Sequence, residues 1–321
     1  MSMKNMLNNG GLKIYANALD SIGNTPLIRL GRVHTGPVNV WAKMECIQPG
    51  GSVKDRAAKM SIETALQTGK LQPGQSVVEM TSGNMGAGLA VVCGVYGHPF
   101  IATMSEGNSP QRAVMLRGLG AEVVLVPQVN GLPGQVTGDD IEAAAQAARR
   151  IAQEQGAYYV DQFHAPHGII AHEQGTAQEI LTALDGSVDA FVAIVGSGGT
   201  FVGVSRGLKK HNAAIRCVAV EPKDAEILAG KQIKKKQHML QGTGYGFIPP
   251  LWDPSLPDAF MAVSDEEAQV MRYRLAAEEG LYVGFSAAAN VVAAVKFAHS
   301  GVLHSGANIV TILCDTGLKY S

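Results

Sequence analysis

The stretch Gly50-Gly51-Ser52-Val53-Lys54-Asp55-Arg56 places an amine directly behind a glycine pair, where a helix is about to start. A helix N-terminus already carries partial positive charge, so a further cation there is unfavourable unless it has a task. A lysine held there and partly desolvated gives up its proton more readily and becomes nucleophilic. That is the state a Schiff base with a carbonyl group requires. A solvated surface lysine is the plain alternative.

Two further stretches could bind anions. In "VVEMTSGNMGAG" an apolar run leads into Thr81, Ser82, Gly83 and Asn84, and a helix begins just beyond. The unpaired N–H groups of a first helical turn, with two hydroxyls and an amide, make a seat for a carboxylate or phosphate. An ordinary capped turn would have the same composition. In "AIVGSGGTFVG" the design recurs, and the backbone of Gly196, Ser197, Gly198, Gly199 and Thr200 could wrap a phosphate. A dinucleotide loop is the natural competitor. The third, spaced glycine is missing, no Walker lysine follows, and Glu221 is a ribose-binding candidate only by its distance along the chain. A single phosphate fits better than a pyrophosphate.

The elements that must position these groups alternate. "NVWAKME", "SVVEM", "PFIATM", "AEVVLVP", "AYYVDQF", "AFVAIVG", "RCVAVEP" and "NIVTILCD" read as strands. Between them lie helical stretches. "SVKDRAAKMSIETALQTG" has Ser52 as N-cap and Gly69 as stop, and "DDIEAAAQAARRIAQEQG" opens on an Asp139/Glu142 capping pattern. "HEQGTAQEILTAL" reads as one helix. Several strands are apolar throughout, which predicts an α/β protein with covered, mostly parallel sheets. Residues 229–259 read as one long functional loop.

Composition narrows the class. The chain has 321 residues, 46% of them hydrophobic, enough for two cores. A net charge of −1 gives no field to recruit nucleic acid or an anionic membrane. No apolar run is long enough to span a bilayer. Cys46, Cys93, Cys217 and Cys314 are far apart with no CxxC pair, so a reducing, cytoplasmic setting is expected rather than a disulfide framework or structural zinc. His164, His167 and His172 lie close together, yet no carboxylate or thiol completes a ligand set at a recognisable spacing, and no metal is expected.

Taken in order, "SIGNTPLIRL", "GGSVKDR", "TSGNMG", "DQF", "GSGGT", "QGTGYGFIP" and "VGFSAAA" cover the chain from about Tyr15 onward. In these motifs the sequence resembles the cysteine synthase and cystathionine β-synthase family of pyridoxal-phosphate enzymes, of fold type II. The resemblance implies two α/β domains with pyridoxal 5′-phosphate in the cleft between them. Residues 1–46 and 165–321 would form the larger domain, and 47–164 a smaller one that closes on substrate. It implies that Lys54 carries the cofactor and serves as base at the substrate Cα. Asn84 would bond the cofactor's 3′-oxygen, Gly196 to Thr200 its phosphate, and Ser286 its pyridine nitrogen. Thr81, Ser82 and Gln162 would bind the substrate carboxylate, with Met85, Gly242 and Tyr245 nearby. Cys314 is expected as an inert thiol lining the pocket.

The implied reaction is β-replacement on an O-activated serine through an aminoacrylate, most simply O-acetylserine and sulfide giving cysteine. Cystathionine-type or diaminopropionate-type replacement with a thiol or amine, and serine/threonine deamination, are the enzymatic alternatives. A cofactor-binding pseudo-enzyme with a regulatory partner is the non-enzymatic one. A homodimer is implied, and a serine acetyltransferase is a possible partner. Departures from the family pattern bear on substrate: Met85 stands where a threonine is usual, and Tyr245 where cysteine synthases have a small residue. Lys234, Lys235 and Lys236 precede the "GTGYG" loop, either as a solvated run or as a patch drawing anions to the cleft mouth.

Overall fold

The computed structural model describes residues 14–81, 83–131, 136–235 and 238–320. Ser82 and Lys236 lie outside these residues. Strands β1 (Leu27–Arg29) and β2 (Asn39–Lys43) are followed by α1 (Lys54–Gln67), β3 (Val77–Met80), α2 (Asn84–Tyr96) and β4 (Phe100–Ser105). Next come α3 (Pro110–Gly118), β5 (Glu122–Val126), α4 (Gly138–Gln155), β6 (Tyr158–Tyr159), α5 (His167–Ala171) and α6 (Ala177–Ala183). Then follow β7 (Ala190–Ile194), α7 (Gly199–His211), β8 (Arg216–Pro222), β9 (Ala259–Val263), α8 (Asp265–Glu279), α9 (Phe285–Ala298) and β10 (Asn308–Ile312).

Two sheets result. The smaller has the order β5-β4-β3-β6 and is parallel throughout. The larger has the order β1-β2-β10-β7-β8-β9, parallel except for the β1–β2 pair. Strands β3, β4 and β7 are buried at every position, which is why they read as mostly apolar runs, with Glu79, Thr103 and Ser105 as the buried polar exceptions. Apolar clusters pack on both faces of each sheet, and α9 brings a run of alanines and valines to the larger one. Small residues set the helix spacing. A Cβ on Gly88 of α2 would stand 3.1 Å from Ala58 Cβ and from Asp55 Cα of α1. Glycine there lets the helix carrying Lys54 lie against the helix carrying Asn84.

Four local readings are corrected. Helix α1 begins at Lys54 with Val53 as its cap, although the Ser52 hydroxyl still accepts from Lys54 N at 3.3 Å. The capping box of α4 is Thr137 with Asp140; Asp139 instead accepts from Asn130 Nδ2, and Glu142 pairs with Arg149. The strand expected over "AYYVDQF" stops at Tyr159, because Asp161 takes a positive φ of 54° and donates its N–H to the buried Glu79 carboxylate. The single helix expected over "HEQGTAQEILTAL" is a π turn at His172–Thr176 followed by α6. Residues 229–258 hold neither helix nor strand among those described, but β9 begins at Ala259. Among the described residues, no helix is long and apolar enough to cross a membrane.

Candidate active site

The ends of β3, β7 and β10 and the loops that follow them converge on a cavity of about 1130 Å³ lined from both sheets. Lys54, Thr81, Asn84 and Gln162 line it from one side, and Gly196, Thr200 and Ser286 from the other. Met85, Gly242 and Tyr245 also reach it. Ser197 and Gly199 border a small hollow behind it, again with Lys54. Residues scattered over more than 230 positions of sequence thus share one space, because parallel strands deliver their C-terminal ends to the same edge.

Lys54 projects from the first position of α1, and its Nζ donates to Ser197 Oγ at 3.2 Å. Burial holds its pKa below the usual lysine range, against the opposing influence of Cys314 and Glu79. What fixes this helix end is two residues on. Arg56 bonds Glu45 through Nε (2.7 Å) and Nη2 (2.8 Å), and Glu179 through Nη1 and Nη2 (both 2.7 Å). Lys43 also pairs with Glu179 at 2.7 Å, and Thr25 Oγ1 donates to Glu45 at 2.6 Å. Two cations match two carboxylates, so the buried cluster is neutral. It ties α1 to β2, to the segment before it and to α6.

The glycine turn is shaped by backbone crowding. A Cβ on Gly196 would stand 2.5 Å from the Gly242 carbonyl oxygen, and one on Gly199 3.3 Å from the Gly168 backbone. Gly198 takes a φ of +96° and caps α7. Thr200 Oγ1 lies 3.2 Å from His172 Nε2, and His172 Nδ1 lies 2.8 Å from Thr176 Oγ1. Burial and the Arg56 cation push the His172 pKa down to about 3, so the ring is neutral between its two hydroxyl partners. The turn is therefore a narrow, rigid cradle at a helix N-terminus.

At the other turn, Thr81 folds back so that its Oγ1 accepts from Gly86 N at 2.9 Å and Gly83 N at 3.4 Å. Glycine at 86 is needed because a Cβ would stand 2.7 Å from Thr81 Cγ2. Gln162 Nε2 donates to Glu79 Oε1 at 3.1 Å and to the Met80 carbonyl at 3.0 Å. Burial pushes the Glu79 pKa up to about 8. Met85 is buried within the smaller core while touching the cavity. Tyr245 stacks on Phe247 with centroids 5.5 Å apart and meets Phe163 edge-on at 5.4 Å, forming an aromatic wall.

Asn84, at the first position of α2, donates from Nδ2 to Asp315 Oδ2 at 2.8 Å and accepts from Lys319 Nζ at 2.7 Å. Tyr320 OH donates to the same Asp315 oxygen at 2.7 Å, and Lys319 also bonds the Gly50 carbonyl. Ser286 is the second residue of α9, and one turn on Asn290 ties two strand ends together. Its Oδ1 accepts from Ile194 N at 2.6 Å and its Nδ2 donates to the Ile312 carbonyl at 2.8 Å. Cys314 lines the cavity beside Asn290, its thiol pKa raised by burial.

Sequence reasoning missed Glu79, Arg112, Asn290, Asp315, Lys319 and Tyr320. The signal available for Asn290 was its position four residues after Ser286, on the same helix face. Two weighed possibilities find other roles. Glu221 accepts from Leu228 N and Ala229 N at 2.8 and 2.9 Å and so holds a turn. Lys235 pairs with Asp265 at 2.7 Å, and neither Lys234 nor Lys235 lines the cavity, although Ile233 and His238 on either side of the run do. Among the described residues no His, Cys, Asp and Glu side chains converge to hold a metal; His164 pairs with Asp161 instead.

A family model described as pyridoxal-phosphate dependent enzyme matches residues 18–315. A cysteine synthase of Staphylococcus aureus is 38% identical over 95% of this chain and 94% of its own. The crystal structure of an O-ureido-L-serine synthase superposes with a TM-score of 0.88 at 35% identity, covering 96% of this chain and 94% of that one. An O-acetylserine dependent cystathionine β-synthase from Helicobacter pylori superposes at 0.86 and 34% identity, covering 96% and 98%. With a lysine, a glycine cradle and a hydroxyl-lined turn facing one cavity in the order that the motifs suggested, the chain belongs to the pyridoxal-phosphate dependent enzyme family.

Proposed function

We propose that the protein replaces the β-substituent of an O-activated L-serine, with O-acetylserine as donor and sulfide as acceptor, giving L-cysteine and acetate. The observation that carries this reading is the desolvated amine of Lys54, hydrogen-bonded to the glycine turn inside a cavity lined from both sheets. The residues present fit pyridoxal phosphate. The backbone-crowded turn from Gly196 to Thr200 would hold the phosphate, Lys54 the aldehyde carbon, Asn84 the 3′-oxygen and Ser286 the ring nitrogen. When bound, the cofactor supplies an electron sink that makes the substrate's Cα proton removable.

The remaining chemistry belongs to the chain. Lys54, with its pKa lowered, accepts the Cα proton once the substrate is seated. Thr81 and Ser82, with the N–H groups at the start of α2, seat the substrate's carboxylate. Neutral His172 fixes the position of the Thr200 hydroxyl. The aromatic wall of Tyr245, Phe247 and Phe163 limits water near the reacting carbons. Residues 47–164 are read as the part that closes, against 1–46 with 165–321, since the cavity lies between the two sheets. A homodimer in a reducing cytoplasm completes the reading, and all four cysteines are free thiols. A serine acetyltransferase is a candidate partner.

One observation favours a second reading. The chain is similar both to an O-ureido-L-serine synthase and to an O-acetylserine dependent cystathionine β-synthase, which suits a larger thiol or amine as the nucleophile. Incubating the holoenzyme with O-acetylserine, O-phosphoserine and serine, each against sulfide, homocysteine and small amines, and weighing the products tests both. Cysteine as the fastest product supports the first reading; a thioether or diamine as the fastest supports the second.

A further inference from the structure

We propose that Lys319 is a positioning residue that holds the Asn84 amide with its N–H end toward the cofactor's 3′-oxygen. The proposal rests on the reading of Asn84 as the contact of that oxygen, and it assigns a residue that none of the motifs contains.

Three observations carry it. The first is the pair of bonds on the amide. Lys319 Nζ donates to Asn84 Oδ1 at 2.7 Å, and Asn84 Nδ2 donates to Asp315 Oδ2 at 2.8 Å. An ammonium has donors only, so the amide oxygen must face it. Turned over, the amide would set its NH2 group against the ammonium and its oxygen against the carboxylate. The two ends of a side-chain amide are alike in shape, and here the neighbours choose between them.

The second is what this leaves for a ligand. Nδ2 carries two protons. One goes to Asp315; the other has no partner among the described residues, and Asn84 lines the cavity. The amide therefore offers the cavity a donor. The 3′-oxygen of pyridoxal phosphate, which is acidic and readily ionised, is an acceptor that such a donor suits. An amide turned the other way would meet it with a second acceptor.

The third is that Lys319 is itself built into place. It belongs to the short turn Gly317–Tyr320 and also donates to the Gly50 carbonyl at 2.7 Å. Gly51, with a φ of +74°, makes room for it: a Cβ there would stand 3.2 Å from Lys319 Cε. Val53 N bonds the Cys314 carbonyl at 2.8 Å and Thr316 N the Gly51 carbonyl at 3.2 Å, so this stretch runs beside the residues leading into Lys54. Tyr320 holds Asp315 Oδ2 at 2.7 Å and meets the Phe285 ring edge-on at 5.7 Å. Burial lowers the Lys319 pKa, while Asp315 and Asp55 work against this and favour the ammonium.

The test measures, by equilibrium dialysis against the full-length chain freed of cofactor, the binding of pyridoxal phosphate and of its 3-deoxy analogue. The readout is the ratio of the two Kd values. Asn84→Ala sets the baseline, the preference that the 3-hydroxyl gives without the amide. Wild type should exceed it roughly 10- to 100-fold, the range of a charge-assisted hydrogen bond. Lys319→Met, which keeps the stem, should fall to the baseline. Lys319→Arg, which keeps a donor-only cation, should recover most of the wild-type ratio, and Tyr320→Phe, which loosens the same turn without removing the ammonium, should retain it. An unchanged ratio in Lys319→Met overturns the proposal, even where both ligands bind more weakly, because equal weakening is the mark of a merely structural residue. A wild-type ratio no higher than that of Asn84→Ala overturns the reading of Asn84 and the proposal with it. If the ratios behave as expected and the holoenzyme forms no β-replacement product, the proposed reaction fails and the role of Lys319 stands.

Discussion

Ser197 Oγ accepts a hydrogen bond from Lys54 Nζ at 3.2 Å, joining the first residue of α1 to the glycine turn ahead of α7 across 143 positions of sequence. The amine and the glycine turn are therefore one unit, and the amine sits where burial favours its neutral form.

From this pairing the first expectation follows. The isolated protein should be yellow, and borohydride should fix the cofactor irreversibly to Lys54. Peptide mapping after reduction checks this; cofactor mass on another lysine, or on none, refutes it. Lys54→Ala should retain weak cofactor binding through the turn at Gly196–Thr200 while losing turnover.

A second expectation concerns the cluster behind Lys54. Arg56 makes four hydrogen bonds to Glu45 and Glu179, and the Glu45 side chain is fully buried. Removing the guanidinium leaves the buried Glu45 carboxylate without a cation, while Glu179 keeps Lys43. Arg56→Met should cost about 3–5 kcal/mol, the range for breaking a buried ion pair by deleting one partner. Urea unfolding of the apo-protein measures it. A loss below about 1 kcal/mol would mean the cluster behaves like an exposed pair.

The candidate site was legible in the sequence because its groups reside in turns that meet at one cavity. Glycines, hydroxyls and an amine at strand–helix junctions announce themselves by type and local order, as at Lys54, Asn84 and Gly196–Thr200. The supports were not legible, because they are contacts between distant segments. Arg56 finds Glu45 and Glu179, and Asn84 finds Asp315 and Lys319, more than 230 residues on. No periodicity encodes such pairings. The short strand β6 failed for a different reason: a buried carboxylate at Glu79 captures the Asp161 N–H and turns the chain out of the sheet. The cap of α4 was misplaced by two residues because Thr137 and Asp139 are both acceptable caps, and only the Asp140 bonds to Thr137 decide between them.

Met85 offers a test of substrate choice. Its side chain is 3% exposed, packed in the smaller core and bordering the cavity. Met85→Thr trades that packing for a hydroxyl beside the Thr81 turn. The variant should lose about 1–3 kcal/mol of stability from the space left behind and should lower KM for O-acetylserine. If kcat/KM with every donor stays at the wild-type value, Met85 is a packing residue and not a determinant of substrate.

The last expectation is a dependence on acid. His172 is buried between Thr176 and Thr200, and its pKa is pushed down to about 3 from the ordinary 6.5. Desolvation is the main cause; Arg56 and Lys54 push the same way, and Glu45 and Glu179 oppose them. Above pH 6.5 the ring is neutral in both folded and unfolded chains, so it adds no slope. Below it the unfolded chain takes up a proton that the folded one refuses. Stability then falls as pH falls, by about 1.4 kcal/mol per unit, until the folded-state pKa near 3 is reached. Burial lowers the pKa of His34, His167 and His238 as well, and these add to the same trend in the wild type. The contribution of His172 is isolated by the difference from His172→Gln, which keeps a donor and an acceptor but cannot titrate. Urea midpoints measured from pH 7.5 to 4.5 should converge for the two proteins as pH falls, the wild type losing more. Parallel profiles would mean that His172 already carries its proton in the fold, and the neutral link to Thr200 would have to be abandoned.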